Sequence, residues 1–284
     1  MTTKITKQDI ELLKHIAGFK ILSVKQLTAV SGRSPQVIRR RLRVLLQEGL
    51  VEKQIRGYGR AKGRPEEITF LTTNGVELLS NNETVHKQYS AISENALHTL
   101  PLDHDLLLNW FHLYLIQVEE KYPQLSVTGF STNTTPSTQS ILSNTFIPDG
   151  IFTIKHKESS KALLFFLEVD MGSETTASTD RNQNDFRQKV LNYQEVFRSE
   201  QYKQCEKIFH SSFNGFRLLI LTNTPQTLAK LCRLVQEMPP SDFIWLTDQS
   251  KMFKEDLSDK IWRRGGKTAE QQSILGTGSI PSGT

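Results

Sequence analysis

Apolar residues recur at three- and four-residue spacing in three short stretches near the start of the chain, Asp9 to Ala17, Ser23 to Val30 and Ser34 to Gln47, and this predicts three helices. Gly18-Phe19 separates the first two and Ser31-Gly32-Arg33 the last two; so tight a second break predicts a helix-turn-helix. Ser34 is the expected N-cap of the third helix, Pro35 its first helical residue, and Ile38, Leu42 and Leu45 its buried face. At about 100° per residue, Gln36, Arg39, Arg40, Arg43 and Gln47 fall on the outward side and Arg41 on the shoulder of the apolar stripe. Val51 to Ile55 and Ile68 to Leu71 then read as two strands. The glycine-rich segment Arg56 to Pro65 joins them, a wing whose glycines allow close approach to a sugar-phosphate surface and whose Arg60, Lys62 and Arg64 supply charge.

The pattern changes further along. Asn81 to Thr99 is polar and weakly periodic and reads as a connector, whereas Leu102 to Glu120 has the spacing of a long helix with Leu106, Trp110, Leu113 and Val118 as core candidates. Gln124 to Phe130 reads as a strand and Ser131 to Asn144 as a loop. Ile151 to Lys157 alternates apolar and polar residues, Glu158 to Lys161 is a turn, and Ala162 to Val169 is a continuous apolar run, together a hairpin. Asp180 to Tyr202 reads as a helix with Phe186, Val190, Tyr193 and Phe197 on one face and Lys189 beside it. A strand at Phe216 to Leu221, a helix at Pro225 to Met238 and a last strand at Phe243 to Leu246 follow. Thr268 to Thr284 is rich in glycine and serine. The expected organisation is a winged helix at 1–82, a linker at 83–99, a second domain at 100–265 and a disordered tail at 266–284.

Charge divides the two halves. Residues 1–80 hold fifteen Lys and Arg against seven Asp and Glu, and the rest of the chain twenty against twenty-three, for a net +5. A basic first domain points to a polyanion, with outward Arg and Gln suited to guanine and adenine edges in a double-stranded DNA major groove. Cys205 and Cys232 stand far apart, which argues against a disulfide framework or zinc site and fits a reducing cytoplasm. Met1 to Lys20 lacks the apolar core of a signal peptide, and no apolar run of about 18 residues predicts a membrane span.

Candidate chemistry sits at one end of the hairpin, where Ile147-Pro148-Asp149-Gly150 opens the first strand and Leu167-Glu168-Val169-Asp170 closes the second. Carboxylates on neighbouring strands can hold a hard divalent cation, whose remaining positions go to water and substrate phosphate. Phosphodiester chemistry is the corresponding reaction class.

Helix, three strands, helix, strand, helix, strand, with paired carboxylates on the second and third strands, resembles the restriction-endonuclease-like PD-(D/E)XK core, an α/β (α+β overall) fold with a mixed central sheet. Residues 5–82, through Phe70-Leu71-Thr72-Thr73-Asn74-Gly75, are similar to bacterial winged-helix domains. With Leu102-Asp103-His104-Asp105, and Lys189 with Tyr193, the whole resembles the replication-relaxation family, which includes the MOBC class of plasmid mobilisation relaxases. The resemblance implies that Asp149 and Glu168 ligate Mg²⁺ or Mn²⁺, that a lysine orients the attacking water, and that the partners are origin DNA and other mobilisation or replication proteins; two-fold symmetric binding would make the chain a homodimer. The family pattern places the lysine two residues after the glutamate, where this chain has Asp170. Lys189 could substitute, or Asp170 could join the metal shell. Tyr193 reads either as a core residue or as a nucleophile, and His104 and Asp105 either as local hydrogen-bonding residues or as additions to the site. No His-hydrophobic-His triplet of the commoner relaxases occurs. Two functions follow: a metal-dependent endonuclease that nicks DNA at a plasmid or mobile-element origin, or a non-catalytic DNA-binding regulator on a degenerate nuclease fold.

Overall fold

The computed structural model describes residues 5–56, 66–82, 90–92, 101–131, 147–158, 162–172 and 186–276. They form two compact units, Met1–Leu113 and Tyr114–Thr284.

In the first unit, α1 (Lys7–Phe19), β1 (Ile21–Ser23), α2 (Val24–Ser31), α3 (Pro35–Gln47), β2 (Val51–Arg56), β3 (Glu66–Leu71) and α4 (Thr73–Asn82) follow in winged-helix order, with an antiparallel sheet β1-β3-β2. Each of the first three helices starts on a hydroxyl cap. Thr6 and Ser23 form capping boxes with Asp9 and Gln26, and Ser34 accepts from Val37 N ahead of Pro35. Gly32, at φ 66°, stops α2 and turns the chain into α3. Leu12, Leu13 and Ile16 of α1, Leu27 of α2 and Ile38, Leu42 and Leu45 of α3 share one core. Strand β1 was not expected, because three residues carry no period; it exists because Ile21 pairs with Phe70 across the sheet.

The exit from β3 rests on the loop before β2. Thr72 N donates to Leu50 O and Thr72 Oγ1 to Gly49 O, while Gly75 N donates to Thr72 Oγ1. A Cβ at Gly75 would lie 2.1 Å from Leu50 O.

Helix α5 (Leu102–Lys121) corrects the expected boundary at residue 100. Its first half belongs to the first unit: Gln26 Nε2 donates to Leu106 O at 2.8 Å, Asn109 Nδ2 donates to Ile21 O at 2.7 Å, and Leu106 packs with Ile21, Ile68 and Phe70. Long polar side chains on separate elements bind it there, and helical periodicity does not reveal them. Apart from residues 90–92, the expected linker lies outside the described residues.

The second unit holds β4 (Leu125–Ser131), β5 (Gly150–His156), β6 (Ala162–Asp170), α6 (Phe186–Arg198), a 3₁₀ turn at Gln201–Gln204, α7 (Cys205–Phe209), β7 (Phe216–Thr222), α8 (Pro225–Gln236), β8 (Ile244–Asp248), α9 (Gln249–Lys254), β9 (Trp262–Arg264) and β10 (Gln271–Gln272). The sheet runs β10-β9-β8-β7-β6-β5-β4. Strands β4, β5 and β6 are an antiparallel meander, β6, β7 and β8 are parallel, and β9 and β10 return antiparallel. From α5 to β7 this is the helix, three strands, helix, strand order of the expected mixed α+β core. Phe186, Val190 and Tyr193 of α6 and Leu228, Leu231 and Val235 of α8 share a core with Phe166, Leu218 and Ile220 of the sheet. The expectation of a disordered tail from 266 is corrected as far as 276: β10 pairs with β9, Ile274 is fully buried, and Ser273 Oγ donates to Ser258 O. Glycine and serine content concealed those two anchors.

Gly75→Ala is expected to destabilise the protein by about 2–3 kcal/mol in chemical denaturation, because the backbone carbonyl of Leu50 cannot move aside for a methyl group.

Candidate functional site

The outward face of α3 matches its helical phase. Gln36, Arg39, Arg40, Arg43 and Gln47 are exposed, and among the described residues none of the three arginines forms an ion pair. Arg39, Arg43 and Gln47 line a hollow of about 220 Å³ together with Lys53 of β2 and Thr69 of β3, so the outward face of α3 continues onto the two strands β2 and β3. Arg60, Lys62 and Arg64 lie outside the described residues.

Arg41 behaves differently from its neighbours. Its Nε donates to Asp9 Oδ1 at 2.7 Å and its Nη2 to Asp9 Oδ2, tying α3 to the first turn of α1. Thr6 N and Thr6 Oγ1 donate to the same carboxylate at 2.7 and 2.6 Å. Burial raises the Asp9 pKa, but the Arg41 and Thr6 hydrogen bonds outweigh it and hold the carboxyl below its ordinary value. Sequence phase placed Arg41 on the shoulder but could not supply its partner, 32 residues away.

In the second unit the carboxylates are placed by register. Gly150, opposite Leu167, is the last residue of β5 paired with β6, and Asp149 stands just outside the ladder, close enough for its charge to act on Glu168. Asp149 Oδ2 accepts from Val169 N at 2.8 Å. Glu168 is 5% exposed. Its Oε1 accepts from Tyr193 OH at 2.6 Å and its Oε2 from Lys189 Nζ at 3.3 Å, the two donors standing one turn apart on α6. Burial first, then the Asp149 charge, raises the Glu168 pKa to about 7, against the opposing pull of Lys189 and Tyr193. Tyr193 is fully buried against Phe166 and Phe216, with its phenol pKa well above the ordinary value through burial and then the Glu168 charge. Of the two sequence readings of Tyr193, the structure places it in the core, as a donor.

Asp149, Glu168 and Lys189 therefore come together. Asp170, two residues further along β6, accepts from Gly172 N at 2.6 Å and closes the strand. Among the described residues no group of three or more His, Cys, Asp or Glu could hold a metal. The chemistry of Asp149 and Glu168 nevertheless fits a hard cation. They offer carboxylate oxygens from just before β5 and from the end of β6, hard donors of the kind such ions take, and the Asp149 charge beside Glu168 is one that a cation would offset. His104 and Asp105 lie in the first unit, where His104 Nδ1 is 3.2 Å from Asp105 Oδ1. The role of Tyr193 was missed, although the spacing of Lys189 and Tyr193 already put both on one side of a helix.

The family model described as replication-relaxation matches residues 13–211, which include the winged helix from the middle of α1 onward, both carboxylates and α6. Among curated proteins none matches the chain. Among solved structures it is similar to a MepR mutant from a multidrug-resistant S. aureus clinical isolate, at 16% identity over 42% of this chain and 80% of that one, with a TM-score of 0.24. No helix among the described residues is long and apolar enough to cross a membrane.

Arg41→Ala leaves the buried Asp9 carboxylate unpaired and is expected to cost about 3 kcal/mol in denaturant unfolding, whereas Arg40→Ala on the exposed face should stay within about 0.5 kcal/mol of wild type. A second outcome concerns pH. Because folding raises the Glu168 pKa, its stabilising contribution to the metal-free protein is complete below about pH 4.5 and is lost as pH rises through about 7. Glu168→Gln imitates the protonated form and lacks that loss, so in chelator its Tm relative to wild type should climb across this window; a constant difference would contradict the assignment.

Proposed function

The chain belongs to the replication-relaxation family, and from that premise we propose that it is a DNA-binding, Mg²⁺- or Mn²⁺-dependent endonuclease that nicks a plasmid or mobile-element origin for mobilisation or replication. The observation that carries this reading is the buried Glu168 carboxylate, with the Asp149 charge beside it and a lysine in contact at 3.3 Å. Carboxylates perturbed by burial and a like-charged neighbour cluster at reactive sites.

Double-stranded DNA would lie against the outward face of α3, with Arg39, Arg40 and Arg43 on phosphates or guanine edges and Gln36 and Gln47 on adenine. Arg60, Lys62 and Arg64 of the wing would add phosphate contacts. Asp149 and Glu168 would hold the ion, which when bound supplies positive charge beside the phosphate and acidifies a water. Asp149 is kept in place by the backbone of β6 through Val169 N, so its carboxylate is oriented before any ligand arrives. Lys189 is 27% exposed and carries three donor protons, enough to touch Glu168 and still orient the attacking water or contact a phosphate oxygen. Asp170 supports this arrangement from the strand end.

A non-catalytic DNA-binding regulator is the second reading. It is favoured by the engagement of both Glu168 oxygens by Tyr193 and Lys189, which is also how a purely structural buried carboxylate would be satisfied.

Supercoiled plasmid carrying candidate origins, incubated with Mg²⁺ or Mn²⁺, separates the two. Wild type should convert it to open circles, while Asp149→Ala and Glu168→Ala should not and should keep near-wild-type DNA affinity. Changing Arg39 and Arg43 together to alanine should weaken binding and lower its salt slope by about one unit per lost phosphate contact. Tight binding with no conversion under any metal condition would establish the regulator.

A further inference from the structure

The two donors on Glu168 are unequal, and their inequality is informative. Tyr193 OH reaches Oε1 at 2.6 Å from a fully buried ring packed between Phe166, at 5.8 Å, and Phe216, at 6.2 Å. Lys189 Nζ reaches Oε2 at the longer distance of 3.3 Å, and its side chain is 27% exposed. A phenol in a packed aromatic core has one rotamer available. A lysine on a four-carbon stem at the rim has several.

We propose that Tyr193 is a positioning residue that permanently holds Oε1 of Glu168, leaving Oε2 as the single exchangeable oxygen, which Lys189 occupies in the metal-free protein and yields to a divalent cation. This rests on the metal-site reading above and adds a division of labour within one carboxylate. Tyr193 restricts Glu168 to one orientation and one available oxygen. Lys189 is a tethered cation in the place a free cation would take, and its displacement frees an ammonium group beside the substrate. The spacing of the two residues follows from this, since one helical turn separates a fully buried donor from a partly exposed one.

The two residues should therefore change cation affinity in opposite directions. Hydrogen-bond donors to ligating groups typically sustain 10–100-fold in metal affinity, so Tyr193→Phe in the full-length chain should weaken Mn²⁺ binding, followed by electron paramagnetic resonance of free Mn²⁺, by about tenfold or more. Lys189→Met removes a competing charge and should tighten it. In the Glu168→Ala background Tyr193→Phe should have no further effect. Unchanged affinity in Tyr193→Phe, or equal weakening by both substitutions, would overturn the proposal while leaving the metal site standing. No Mn²⁺ binding by wild type would overturn both. Should Tyr193→Phe fail to fold, 3-fluorotyrosine placed at 193 provides a fluorine resonance. A saturable shift on Mg²⁺ addition, absent in Asp149→Ala, supports the assignment, and an unresponsive resonance refutes it.

Discussion

A carboxylate buried in the sheet of the second unit has to be satisfied, and the placement of α6 follows from that requirement. Glu168 stands at the C-terminal end of β6, on the face that carries Phe166 into the main core. A charge there without donors would cost several kcal/mol, so the element covering it must bring hydrogen-bonding groups as well as apolar surface. Helix α6 does both: Phe186, Val190 and Tyr193 fill the core while the Tyr193 hydroxyl and Lys189 reach the carboxylate. The parallel pairing of β6 with β7 sets Ile220 opposite Glu168, leaving the neighbouring strand apolar at that level. Donors must therefore come from the helix.

Among the described residues a buried acidic side chain stands beside a basic one in each unit, Asp9 with Arg41 and Glu168 with Lys189, and the contrast separates architecture from chemistry. Asp9 receives two bonds from Arg41 and two from Thr6, and its carboxyl is held below the ordinary range. Every charge there is matched, and the result is a fixed third helix. Glu168 is raised in its affinity for a proton first by burial and then by a second carboxylate as neighbour, which its one cation at longer range does not offset. Net negative charge left in a low-dielectric setting is the mark of a place that accepts a proton or a cation.

Where regular periodicity governs, the chain was readable. The three helices, their caps at Ser34 and Pro35, the outward arginines of α3 and the carboxylate hairpin all follow from spacing of two or of three to four residues. Where the determining contact joins distant segments, it was not. Arg41 has the same side chain as Arg40, and only Asp9 at the far end of the fold distinguishes them. Strand β1 is too short to show alternation, and β10 owes its place to pairing rather than to its own sequence. At the candidate site Asp149, Glu168 and Lys189 were named from residue type and order, whereas the Tyr193 bond depended on how far α6 descends onto β6. A phenol on an apolar face reads as core from sequence alone, and in this chain it is core and hydrogen-bond donor to Glu168 together.

Helix α5 has a practical side. The amides of Gln26 and Asn109 carry the bonds between its first three turns and the winged helix, and Leu106 covers Ile21, Ile68 and Phe70. Anyone dividing the gene at the polar stretch before Leu102 would obtain a winged-helix fragment with three large side chains bared on one face of its sheet, a surface that invites self-association. Extending the fragment through Leu113 keeps that face covered, so the useful boundary for dissection runs inside a helix rather than through the connector that composition suggests.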